Sequence, residues 1–301
     1  MNNLISLTAN LRKNGQKLAY QFLDGMNWKQ HTYLDIINSF EYSLNYLLNK
    51  NLTKKKVLNL ASSSLDNTII TYCLLGANSS IIFSNYDPNS FKNNQEDYDI
   101  IILDRIEDSI NINNLSNIIL IVIDIENDHN IESPNILSFK SLIKFGLLGR
   151  NKIDQAKLDH VLNNDFSSNL FFDRDENHNL ETISKLEKIV SDISDREFSN
   201  IFYQKKDLFS LKICPLMIIN KKKFANFLNW SQLSNNLKET LPTNLFIDSN
   251  NIQRIIDQEN YTEESVKILF GKNIKRFIST GVIDKNCMNK LESLGIELVN
   301  I

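Results

Sequence analysis

The chain has 301 residues, of which 42 % are hydrophobic and 23 % charged, and a net charge of −3. That length can bury one large core or two modest ones, and the balance is that of a folded globular protein rather than a disordered one. The charge excludes a general attraction to nucleic acid, and no apolar run is long enough to span a membrane.

In chain order, the first seventeen residues lack the apolar core of a signal peptide. Leu34, Ile37, Phe40, Leu44, Leu47 and Leu48 recur at helical spacing and predict a helix from about Tyr33 to Asn49. Lys54, Lys55 and Lys56 read as a solvated turn, as do Lys221, Lys222 and Lys223. Val57 to Ser62 is a short strand. Asp66 or Asn67 can cap a helix that runs through Leu75 and stops at Gly76. Ser80 to Ser84 is a strand ended by the turn at Tyr86, Asp87 and Pro88. DIIILD (Asp99 to Asp104) and IILIVID (Ile118 to Asp124) are continuous apolar runs, as expected of strands covered on both faces of a parallel sheet.

Ser138 to Leu162 reads as helical and connecting. A strand at Leu170, Phe171 and Phe172 follows. Then Leu180, Ile183, Leu186, Ile189 and Ile193 mark one face of a helix. Further on come a helix at Asn229 to Glu239, a strand at Asn244 to Ile247 and a helix near Asn251 to Asp257. The last elements are the strand Arg276 to Thr280, a helix at Asp284 to Ser293 with Cys287, Met288 and Leu291 inward, and the strand Glu297 to Ile301. Strands alternating with helices predict an α/β fold of two doubly wound, mostly parallel sheets flanked by helices, divided into residues 1–165 and 166–301.

Cys73, Cys214 and Cys287 are far apart in apolar settings, which suits buried thiols in a reducing cytoplasm rather than a disulfide frame or a metal site. His31, His129 and His160 stand alone, with no metal-ligand spacing, and Cys214 has no base near it in sequence. Trp28 and Trp230 read as packing residues. Asp173, Arg174, Asp175, Glu176 and His178 could be taken for a metal cluster, but a solvated turn with its acids at a helix N-terminus explains them without one.

The order of segments resembles the large N-terminal domain of the adenylate-forming superfamily, which includes acyl-CoA synthetases, peptide-synthetase adenylation domains and luciferases. The likeness is greatest to long-chain acyl-CoA synthetases. Four collinear stretches carry it: KLAYQFLDGMNWKQHTYLDI from Lys17, VLNLASSSLDNTIITYCLLGANSSIIFSNYDP from Val57, LKETLPTNLFIDSNNIQRII from Leu237 and LFGKNIKRFISTGVIDKNCMNKLESLGIELVNI from Leu269. The resemblance implies ATP-dependent activation of a carboxylate to an acyl-adenylate, usually followed by transfer to coenzyme A. That chemistry needs backbone amides and a lysine on the phosphates, a carboxylate for magnesium, an acyl pocket and a mobile C-terminal lid.

The family's phosphate loop, rich in glycine and ending Pro-Lys-Gly, should follow the strand at Leu170 to Phe172. DRDENHNLETISK stands there instead. The chain has 8 glycines and none between Arg150 and Phe270. Glycine lets backbone amides turn tightly enough to converge on an anion. Asp173, Asp175 and Glu176 would repel a triphosphate, and nothing around Lys185 would aim it at one.

Ser279, Thr280 and Gly281 correspond to a vestigial adenine-site segment, but Val282 and Ile283 replace small residues of the family pattern. The resemblance also implies an acyl pocket between the two halves, lined by Phe246, Asn250 and Val282. For Ile283 a filled core position is the better reading. The sequence stops at Ile301, where the family continues into a magnesium-binding motif and the lid domain, so the lid is expected to be missing. No catalytic or metal-binding residue is expected, and no cofactor.

The resulting expectation is a catalytically inactive binding or partner protein in fatty-acid or related acyl metabolism. Its partner would be an acyl group, an acyl-carrier protein or another subunit, in a homo- or hetero-oligomer. The alternative is an adenylate-forming ligase using ATP and magnesium, or one half of a split ligase. Loss of the phosphate loop inside the retained part favours the first reading, because a partner's lid cannot restore it.

Overall fold

A computed structural model describes residues 12–24, 27–62, 64–83, 98–109, 117–123, 135–149, 170–172, 185–186, 188–193, 200–203, 224–227, 241–247, 249–257, 264, 268, 273–279 and 281–301. The chain divides into two compact units. Unit 1 comprises Met1–Gln16, Tyr33–Glu176 and Lys206–Leu211, and unit 2 comprises Lys17–Thr32, Asn177–Lys205 and Lys212–Ile301.

Unit 1 is built on a six-stranded parallel sheet. Its strands are β3 (Lys56–Asn59), β4 (Ser80–Phe83), β5 (Ile100–Leu103), β6 (Ile119–Val122), β7 (Ile136–Ser138) and β8 (Leu170–Phe172). The spatial order is β7-β6-β5-β3-β4-β8. Val57 lies between Ile81 and Ile100, and Ile100 is paired on its other side with Ile119. The uninterrupted apolar runs of β5 and β6 are explained by position. Ile100, Ile101 and Ile102 are fully buried, because a central strand of a doubly wound sheet has both faces covered. Leu58, Leu60, Ile101, Leu103, Ile118 and Leu120 form one of its cores.

Among the described residues, three helices flank this sheet. Helix α1 (Tyr33–Asn49) packs against α2 (Leu65–Gly76) and α3 (Phe139–Leu148). The cap of α2 differs from expectation. Ser64 is the N-cap, its Oγ accepting the Asn67 N–H, and Asp66 and Asn67 lie inside the first turn. Gly76 is still helical. The left-handed residue that ends the helix is Asn78 (φ 62°), with the Ser79 N–H donating to the Leu74 carbonyl. The expected helix from Ser138 begins one residue later, with Ser138 as its N-cap at the end of β7.

Unit 2 carries a seven-stranded sheet ordered β13-β12-β11-β9-β10-β1-β2. Strands β1 (Leu18–Asp24) and β2 (Asn27–Thr32) form an antiparallel pair, and every other pairing is parallel. The remaining strands are β9 (Asn200–Tyr203), β10 (Phe224–Phe227), β11 (Asn244–Phe246), β12 (Arg276–Ser279) and β13 (Glu297–Asn300). Helices α4 (Ser249–Asp257) and α5 (Lys285–Ser293) connect the last three. Leu186, Val190 and Ile193 are buried at helical spacing.

Two expectations of contiguous halves differ from this partition. The β1–β2 pair joins the second sheet through β10, and β8 joins the first sheet beside β4. Both result from pairings between strands distant in sequence, which local pattern does not record. On α5, Cys287 and Leu291 are buried as expected, but Met288 is exposed. Met288 is one residue beyond Cys287, about 100° around the helix, and so leaves the buried stripe. The expected helix at 229–239, Cys214, His129, His160, His178, Trp230, the Lys221–Lys223 turn and residues 173–184 lie outside the described residues.

Candidate functional site

Strand order in unit 2 reverses once among its parallel strands. Strand β10 lies on one side of β9, while β11, β12 and β13 lie on the other. Connections that leave adjacent strands in opposite directions open a crevice outside their carboxyl ends, the usual ligand position in open α/β sheets. Here those ends are Tyr203 of β9 and Phe246 of β11, with Ser279 of β12 next along.

The backbone fixes this edge. The Ile247 N–H donates to the Ile278 carbonyl at 3.0 Å, and the Ile301 N–H donates to the Ser279 carbonyl at 2.8 Å. Ser279 is fully buried. Gly281 adopts φ 95°, which disfavours any side chain, and turns the connection against the start of α4. A Cβ added at Gly281 would lie 2.7 Å from the Ser249 Oγ. Ser249 is the first residue of α4 and is buried. The structure therefore brings Ser279, Gly281 and Ser249 to one place. Ser249 was not singled out from sequence. Its position after strand β11, at the head of a helix, is the local signal for it.

Asp284 caps α5. Its Oδ1 accepts the N–H groups of Asn286 (2.6 Å) and Cys287 (2.9 Å), and its Oδ2 accepts from Gln253 Nε2 at 2.7 Å. Lys290 Nζ donates to the Ile256 carbonyl at the other end of α4. These bonds hold α4 and α5 in register beneath the connection, and they commit the carboxylate of Asp284 to structure.

The other expected site residues disperse. Phe246 is only 1 % exposed and is a core side chain. Asn250 is exposed on the first turn of α4, Val282 is 91 % exposed, and Ile283 is buried. Thr280 lies outside the described residues. What assembles is a set of neutral hydroxyls and backbone groups. Among the described residues this set contains no nucleophile–base pair. Among the described residues no group of three His, Cys, Asp or Glu is placed to hold a metal ion.

Titratable groups elsewhere report burial. In unit 1 burial pushes the Cys73 thiol well above its ordinary value, with a backbone hydrogen bond at Leu44 opposing, and burial raises Tyr46. A thiol in that state is a packing residue rather than a nucleophile. Cys73 and Cys287 are free and buried. His31 stacks on Phe22, with ring centroids 5.9 Å apart. No described helix is long and apolar enough to cross a membrane.

No protein-family model matches the chain, and neither does any curated protein sequence. Solved structures do. A mutant form of coronafacic acid ligase from Pectobacterium brasiliense superposes with a TM-score of 0.73 at 13 % identity, over 100 % of this chain and 60 % of that one. A long-chain-fatty-acid-CoA ligase from Archaeoglobus fulgidus gives 0.70 at 12 %, over 100 % and 63 %. The luciferase-like enzyme of the mealworm Zophobas morio gives 0.70 at 12 %, over 100 % and 71 %. The chain thus spans about 60 % of the length of the ligases it matches. Its fold is that of the N-terminal domain of adenylate-forming enzymes.

Proposed function

We propose that this chain is a non-catalytic relative of the adenylate-forming ligases, acting in the cytoplasm as a binding or partner protein in acyl metabolism. Its ligand is an acyl group or an acyl-carrier protein, and it works in association with another subunit. The observation that carries the reading is the segment after β8. In the fold of these ligases the strand is the place from which a phosphate loop would be expected. Here the sequence DRDENHNLETISK follows it, with no glycine and with three acids, Asp173, Asp175 and Glu176, among its first four residues. A triphosphate needs converging amides and net positive potential, and this segment offers neither, so MgATP does not fit the residues present. The free buried thiols Cys73 and Cys287 are in keeping with a reducing compartment.

Two measurements test the reading. The first is calorimetry with MgATP, paired with carboxylate-dependent ATP–pyrophosphate exchange. Neither heat at millimolar MgATP nor exchange is expected. Exchange catalysed by the chain, alone or with a second chain, would establish the ligase alternative and overturn the proposal. The second is titration with a fatty-acylated carrier protein, where saturable micromolar binding is expected and its absence removes the acyl-partner role.

A further inference from the structure

Unit 1 has a switch point of its own. Strand β4 lies on one side of β3, and β5, β6 and β7 lie on the other, so the crevice sits between the carboxyl ends of β3 and β5. Asn59 ends β3, and Asp104 directly follows β5.

That crevice already contains a carboxylate. Asp104 accepts the Ser62 N–H on both oxygens, at 2.9 and 3.0 Å, and the Ser62 Oγ donates to it at 2.6 Å. Ser62 belongs to the connection leaving β3, so a side chain from one lip of the crevice is bonded to the other lip.

The connection is also tied from below. Asn59 Oδ1 accepts the Ala61 N–H at 3.0 Å, and Asn59 Nδ2 donates to Asn67 Oδ1 (2.7 Å) and Thr71 Oγ1 (3.1 Å). Asn67 Nδ2 donates in turn to the carbonyls of Ala61 (3.2 Å) and Ser62 (3.0 Å). Asn59 and Asn67 are buried. Ser64 Oγ takes the Asn67 N–H at the head of α2. Among the described residues, the Ala61, Ser62 and Asn67 N–H groups, the Ser62 Oγ and the side-chain amides of Asn59 and Asn67 are therefore spent on the chain's own groups.

We infer that Asp104 is an internal ligand that latches the β3/β5 switch point shut. An incoming anion would have to displace hydrogen bonds to an ionised acceptor, which are the stronger kind, and would meet a like charge in the same space. The latch ties the connection leaving β3 at Ser62 to the residue that follows β5.

The test is amide hydrogen exchange by NMR on the full chain, comparing wild type, Asp104→Asn and Asp104→Ala, each with and without sodium formate. The Leu58 amide in β3 serves as the reference for global opening. Protection of the Ser62 amide relative to Leu58 should fall about ten-fold or more in Asp104→Ala, as expected for losing hydrogen bonds to a charged acceptor. Formate should restore part of it in that variant and change nothing in wild type. Asp104→Asn keeps an acceptor oxygen and should show a smaller loss, which decides the matter if Asp104→Ala does not fold. Unchanged relative protection at Ser62 in the variants would overturn the latch. So would a wild-type Ser62 amide that shifts on adding formate, because the crevice would then be open.

Discussion

Gly146 of α3 lies directly on the backbone of Tyr42 in α1: a Cβ added at Gly146 would be 1.8 Å from the Tyr42 carbonyl oxygen and 2.5 Å from its carbon. The obstruction is main chain, which cannot swing aside. The two helices therefore touch backbone to backbone, and Asn45 Nδ2 uses the closeness to donate to the Gly146 carbonyl at 2.7 Å.

Gly146→Ala should accordingly destabilise unit 1 by about 2–4 kcal/mol, in the range of severe overpacking and well beyond the gain in helix propensity. Asn45→Ala should cost about 1–3 kcal/mol by leaving a buried carbonyl without its donor. The two losses should be less than additive, since separating the helices already breaks the hydrogen bond. Urea unfolding followed by circular dichroism measures all three variants. A stability of Gly146→Ala equal to wild type would show that the helices do not cross this closely.

The cap of α2 gives a sharper comparison. Ser64→Ala removes the oxygen that accepts the Asn67 N–H and should cost about 1 kcal/mol. Asp66→Ala, within the first turn, removes only a favourable charge near the helix N-terminus and should cost about 0.3–1 kcal/mol. Added salt should shrink the Asp66 effect and leave the Ser64 effect in place. The reverse ranking in thermal unfolding would move the cap to Asp66.

Gly281 is constrained in two separable ways. Its φ of 95° penalises any side chain, and the Ser249 Oγ lies where a Cβ would go. Gly281→Ala should cost about 1–3 kcal/mol in all, mostly backbone strain. Combining it with Ser249→Ala should recover the steric part, because the Ser249 Cβ is 3.6 Å away, and leave the φ part. Full recovery in the double variant would mean that the loop adopts another backbone conformation.

Cys73 predicts an alkaline dependence. Burial raises the folded-state pKa of its thiol well above 9.0, so the folded chain retains a proton that the unfolded chain releases. Below the unfolded value both states are protonated and there is no effect. As pH rises through that value toward the folded one, unfolding releases a proton and stability falls. Cys73→Ala should flatten the decline in urea midpoint between about pH 8.5 and 10 relative to wild type. A thiol reagent should also leave Cys73 unmodified until the chain unfolds. Fast labelling of the native chain at Cys73 would contradict its burial.

Much of the fold was legible from local pattern. Helix α1, with Ile37, Phe40, Leu44 and Leu47 inward, follows from spacing alone. Strands β5 and β6 follow from unbroken apolar runs, and β11, β12, α5 and β13 fall close to their expected places. The cap of α2 was misplaced by two or three residues, because Ser64, Asp66 and Asn67 are all good caps and only backbone angles select among them. The candidate site was less legible. Phe246 and Val282 have similar hydrophobicity, yet one is in the core and the other in water.

By itself the sequence determined helices α1 to α5 and strands β3 to β6, β8 and β11 to β13, though not β1, β2, β7, β9 or β10, and it placed acids after β8 where an anion-binding loop would carry glycines. These are local properties, set by periodicity, by the freedom of one backbone and by charges a few residues apart. Only the tertiary structure decided that β1 and β2 join the second sheet, that β8 borders the first, and that Asp104 bonds Ser62 beside β3. Each depends on strand pairing across tens of residues. The free energy of such a pairing is shared between two distant segments and the packing around them, so neither segment alone encodes its partner.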